Sequence, residues 1–105
     1  AIEAFQKATN FEPNNAKAYY NLGIVYYKYD KTEEAIGFLE KAIELDPGFS
    51  SAYYQAGLAN IKKGDLEKAI KYLEQFLRLE PNAPEADQVK AMIEELKKRI
   101  GENID

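Results

Sequence analysis

Two of the side chains that most often carry enzyme chemistry, histidine and cysteine, do not occur in this chain. Their absence removes nearly all zinc sites, the Ser/His and Cys/His nucleophile pairs, disulfides and the ordinary proton shuttle of neutral pH. Carboxylates, lysines and tyrosines remain. Glu33 beside Glu34, and Glu94 beside Glu95, are the kind of paired carboxylates that general acid–base catalysis uses when two environments drive their pKa values apart. Sequence neighbours on a helix point to different sides, however, and nothing apolar surrounds these to raise a pKa, so they read as solvated helix faces. Lys62 and Lys63 suggest an anion site, but two cations at a helix end also complement the helix dipole without any ligand. No catalytic group, metal site or cofactor is expected.

The tyrosines are more informative. At about 100° per residue, Tyr19, Leu22, Gly23 and Tyr26 share one stripe of a helix, while Tyr20, Ile24 and Tyr27 form a second stripe a quarter-turn or more away. Tyr53, Ala56 and Gly57, followed by Tyr54, Leu58 and Ile61, repeat the arrangement. One stripe suffices for packing, so the second is surplus. Tyrosine joins a large apolar ring to a hydroxyl that tolerates water, the usual mixture at a recognition surface.

Stepping from these side chains to the elements that carry them, a chain of 105 residues makes one small domain with a thin core. With 14 Lys and Arg against 18 Asp and Glu, the net charge of -4 repels a phosphate backbone, and no nucleic-acid partner is expected. No apolar run approaches the ~20 residues of a membrane span, and no leader pattern opens the chain. Pro13, Pro47 and Pro81 interrupt helices, and Asp30 and Gly64 suit tight turns between them. Helices are therefore predicted near 1–12, 16–29, 33–45, 50–63, 66–80 and 84–100, with Thr32 and Asp65 as N-caps. Gly23 and Gly57, placed mid-helix at a cost of ~1 kcal/mol against Ala, predict a close helix approach with Ala35 and Ala69 facing them.

The pattern repeats internally. A shift of 34 residues places Ala18 on Ala52, Tyr19 on Tyr53, Tyr20 on Tyr54, Gly23 on Gly57, Ala35 on Ala69, Ile36 on Ile70 and Leu39 on Leu73. Tyr19, Leu22, Gly23, Tyr26, Ala35, Leu39, Ala42 and Pro47 resemble the motif of the tetratricopeptide repeat, and Tyr53, Ala56, Gly57, Ala69, Leu73 and Pro81 give a second copy. The resemblance covers about residues 1–83. It implies an all-α fold, a right-handed superhelical solenoid of antiparallel helix hairpins. One domain over 1–105 is expected: the second helix of a truncated repeat at 1–15, repeats at 16–49 and 50–83, and a capping helix with its tail at 84–105.

In the resembled family the second stripe faces a concave groove where ligand peptides lie. The resemblance therefore implies a protein or peptide partner and a groove built from Lys17, Tyr20, Asn21, Ile24, Tyr27, Lys28, Tyr54, Gln55, Leu58, Ile61 and Lys62, an aromatic and mildly basic trough with Tyr20 and Tyr54 as its anchors. Relatives that dock chaperones grip a terminal carboxylate with a basic, Asn-rich clamp. The matching positions here include Tyr20, Ile24, Gln55, Glu85 and Val89, so that clamp is absent.

The two ends of the array differ. Asp87 and Glu94 replace core aromatics in the last helix, and Ala86, Val89, Ile93, Leu96 and Ile100 form a single narrow stripe, as a cap meeting water requires. Phe76 stands where Ala8 and Ala42 stand in earlier units, and it precedes Asp87 by the spacing at which the others precede a tyrosine. A large residue has exchanged places with a small one, so Phe76 is expected to dock the cap. At the front, Ile2 and Phe5 lack the helix that would cover them, and self-association through that edge is the alternative to peptide binding.

Overall fold

The computed structural model describes residues 15–104, which form five α-helices and no strand: α1 (Ala16–Lys28), α2 (Thr32–Leu45), α3 (Ser50–Lys63), α4 (Leu66–Leu79) and α5 (Ala86–Ile104). The predicted helix over 1–12, with Ile2, Phe5 and Ala8, lies outside the described residues. None of the described helices is long and apolar enough to cross a membrane.

Helix boundaries follow local chemistry. Asn15 opens α1, its side-chain oxygen accepting the Ala18 N–H at 3.1 Å, and Asp65 opens α4 by accepting the Lys68 N–H at 3.2 Å, as predicted. Thr32 is not the N-cap of α2. Lys31 occupies that position without a side-chain bond, Thr32 is already helical, and Glu33 and Glu34 bring negative charge to the first turn instead.

Asp30 and Gly64, matching positions in the two hairpins, both adopt the left-handed conformation, with φ of 62° and 96°. In each case the backbone closes the helix by the same pair of bonds: Lys31 N–H to Tyr26 O and Asp30 N–H to Tyr27 O, then Asp65 N–H to Asn60 O and Gly64 N–H to Ile61 O. The last helix starts at Ala86 rather than at Pro84, because residues 81–85 are used in turns, the Ala86 N–H reaching Ala83 O at 3.0 Å.

Each helix packs chiefly on its neighbours in sequence, with one further contact between α1 and α3, as expected of a stack in which every unit meets only the next. Leu22, Leu39, Leu73 and Val89 are fully buried, and six alanines (Ala35, Ala42, Ala52, Ala56, Ala59 and Ala69) have no exposed surface at all, allowing the backbones to approach. Gly23 and Gly57 make the tightest crossings. A Cβ on Gly23 would stand 2.6 Å from Leu39 Cγ, and one on Gly57 would stand 2.7 Å from Leu73 Cδ2. The side chains facing the glycines are thus Leu39 and Leu73; Ala35 and Ala69 present only carbonyl oxygens, at 3.3 and 3.5 Å.

The cap is built as the size exchange predicts. Phe76 is 6 % exposed and clusters with Val89, Ile93 and Leu96 of α5, whereas Asp87 and Glu94 face solvent.

Candidate functional site

The second stripe is neither core nor open surface. Tyr20, Ile24, Tyr27, Tyr54, Leu58 and Ile61 are all half-buried. Tyr20 and Tyr54 also belong partly to the packing: Tyr20 lies against the cluster of Ile36, Leu39 and Ala56 and meets the Phe49 ring at 4.8 Å, and Tyr54 meets Phe76 at 5.4 Å. This corrects the view of the two rings as free of the core. The exposed part of each ring, and its hydroxyl, remain for another role.

Those parts converge. Tyr20 from α1, Ser51, Tyr54 and Gln55 from α3, Phe76 from α4 and Glu85 just before α5 line one hollow of about 160 Å³. Two turns further along the stripe of α3, Ile61 borders a second, more apolar hollow of about 370 Å³, closed by Gln88, Ala91, Met92, Glu95, Leu96 and Arg99 of α5. Ile24 and Leu58 line neither hollow. Val89, at a position where the clamp of chaperone-docking relatives would act, is fully buried in the core.

The basic flank is only partly available. Lys17 and Lys28 are exposed and Asn21 is half-buried. Lys62 is already engaged: its ammonium sits 4.7 Å from the centre of the Tyr27 ring and bonds the Asp30 carboxylate. That hydrogen bond, with the lysine charge behind it, holds the Asp30 carboxyl below its ordinary value. The walls supplied by Phe76, Glu85, Met92 and Arg99 do not follow from the tyrosine stripe, because these residues come from the turn before α5 and from helices whose own periodicity points into the core or out to water.

A second polar cluster lies between α2 and α4. The Tyr72 hydroxyl donates to Glu40 Oε2 at 2.7 Å, and Lys68 Nζ pairs with the same oxygen at 3.0 Å. Burial pushes the Glu40 carboxyl up, but the hydrogen bonds from Tyr72 and Lys68 and the charges of Lys68 and Lys63 outweigh it and hold the group below its ordinary value. Burial first, then the bond to Glu40 and its charge, raises the Tyr72 phenol. The cluster has its own donors and acceptors paired and reads as a tie between helices. Among the described residues no group of three or more acidic side chains is placed to hold a metal ion.

Comparison with known proteins follows the same lines. Family models described as tetratricopeptide repeat match residues 16–49 and 50–83, and one described as TPR repeat matches 1–30. No curated protein matches by sequence. Among solved structures, the second TPR domain of human RPAP3, determined in complex with the HSP70 peptide SGPTIEEVD, is 31% identical with a TM-score of 0.81, the match covering 89% of this chain and 78% of that one. MamA is 32% identical with a TM-score of 0.85, the match covering 92% of this chain and 57% of that one, so the chain spans little more than half of MamA. The type III secretion translocator chaperone SycD of Yersinia enterocolitica superposes with a TM-score of 0.88 over 95% of this chain and 72% of its own, and at 20% identity it speaks for the fold alone.

Proposed function

The chain belongs to the tetratricopeptide repeat family, and from that premise we propose that it is a protein–protein interaction scaffold that holds a peptide or protein segment along the face built by α1, α3 and α5. One observation carries the reading. Tyr54 and Ile61, on a single stripe of α3, each border a hollow, and the walls of those hollows come from the helices on either side. Tyrosine, methionine and arginine in such hollows are the residue types that interfaces favour, and half-buried rings lose little freedom when a ligand covers them. The solved relative RPAP3 holds a peptide on the same fold, which supports a binding rather than a catalytic role. An extended or helical segment with apolar side chains suits the second hollow.

The test is direct. Dodecapeptides selected from a random display library against the chain, then titrated into ¹⁵N-labelled protein, are expected to shift amide signals of α1, α3 and the start of α5. Failure to select any binder, or shifts concentrated on α2 and on the outer side of α4, would overturn the groove reading.

A further inference from the structure

We propose, building on the groove reading above, that the hollow between Tyr20 and Tyr54 accepts a cationic side chain, a lysine or arginine of the bound segment, seated against the rings and paired with Glu85. Three aromatic rings contribute to its wall, and Glu85 is the sole charged residue among those lining it. The Glu85 side chain makes no ion pair or hydrogen bond with any described residue, and neither do the hydroxyls of Tyr20 and Tyr54. Ser51 and Gln55 add further oxygens. Each of these polar side chains thus offers an oxygen able to accept a hydrogen bond, and the ring faces carry the negative side of their quadrupole. An anionic group would meet the like charge of Glu85 here, and a purely apolar side chain would leave Glu85 and the hydroxyls facing it unpaired.

The molecule contains its own precedent. Two turns along the same stripe, the Tyr27 ring carries the Lys62 ammonium at 4.7 Å, and Asp30 closes the pair as counter-ion. Tyrosine, cation and carboxylate therefore already meet in this fold. Tyr20 sits two turns before Tyr27 on α1, with the ring and the carboxylate in place and no cation among the described residues lining the gap. A lysine or arginine from a partner completes the same arrangement, and at about 160 Å³ the hollow has room for several waters or for one such head group.

The same dodecapeptide selection reads this out through composition. Peptides selected on the unaltered chain are expected to share a Lys or Arg at one position, and its replacement by norleucine in the best peptide to weaken binding about tenfold by fluorescence anisotropy, the range a partly desolvated cation–ring contact with a counter-ion supports. Selection on Glu85→Gln should lose the basic preference, and on Glu85→Lys it should turn toward Asp or Glu. Glu85 is exposed in the turn just before α5, and circular dichroism confirms that each variant is folded before its peptides are compared. Peptides that shift the α1, α3 and α5 signals but show no basic preference, or whose preference survives Glu85→Lys, would overturn this inference while leaving the groove reading standing. No selected peptides at all would overturn both.

Discussion

Gly57 shows how a single residue decides a helix crossing. A glycine inside a helix costs ~1 kcal/mol against alanine, so Gly57→Ala should stabilise the chain if propensity ruled. The added methyl would meet Leu73 at 2.7 Å, and Leu73 is fully buried with nowhere to move. Overpacking of this kind costs ~1–3 kcal/mol, so we expect Gly57→Ala to lower stability by about 1 kcal/mol net in urea denaturation. Gly37 is the contrast, exposed in the middle of α2, where a Cβ would meet no atom of the described residues within 4 Å. Gly37→Ala should raise stability by up to ~1 kcal/mol. Equal effects at the two sites would refute the close-approach account. The spacing of Gly23 and Gly57 already announced a tight crossing, but not its partner: Leu39 and Leu73 reach the glycines because they lie one turn beyond Ala35 and Ala69, a detail of helix angle that residue type does not encode.

At the scale of elements, the cap is the piece whose docking rests most on one side chain. Phe76 is 6 % exposed and is the large α4 residue in the cluster with Val89, Ile93 and Leu96. Phe76→Ala is expected to cost ~3–5 kcal/mol, and to free α5 before the rest because α5 packs chiefly on α4. Hydrogen exchange across residues 86–100 should accelerate ahead of that in α1 and α2; uniform acceleration would refute it. This exchange of large for small was legible in the sequence because the repeat supplies its own reference positions at Ala8 and Ala42. Helix order was legible for the same reason. The turn at Pro81–Pro84 was less so, since proline is welcome in the first turn of a helix and equally at home outside it, and here the chain places both prolines outside. The candidate site was legible as a surplus stripe of Tyr20 and Tyr54. Its walls were not, because Phe49 and Phe76 reach those rings from distant turns and helices, and the capture of Lys62 by Asp30 joins residues 32 positions apart.

Across the whole molecule, apolar contact crosses every boundary, Ile36 and Leu39 of the first hairpin meeting Ala56 and Ala59 of the second, while the charge pairs between helices gather chiefly where those two hairpins meet. Within each hairpin the helices meet through glycine, alanine and leucine, whereas Lys62–Asp30, Lys63–Glu33, Lys68–Glu40 and Tyr72–Glu40 all join one hairpin to the next. Exposed ion pairs contribute only ~0–1 kcal/mol each and are screened when the Debye length falls to about 3 Å at 1 M salt. The expected result in 1 M salt is a loss of stability of about 1 kcal/mol with the urea m-value unchanged, because the buried cluster of Ile36, Leu39, Ala56 and Ala59 still couples the hairpins. A smaller m-value, with α1 and α2 exchanging hydrogen before α3 and α4, would show instead that charge alone couples the hairpins. Tyr20 and Tyr54 stand on opposite sides of that same charged seam. The gap between them is therefore a calliper whose jaws are two hairpins and whose hinge is the packed seam of Ile36, Leu39, Ala56 and Ala59, so side-chain volume at that seam sets how far apart the jaws stand.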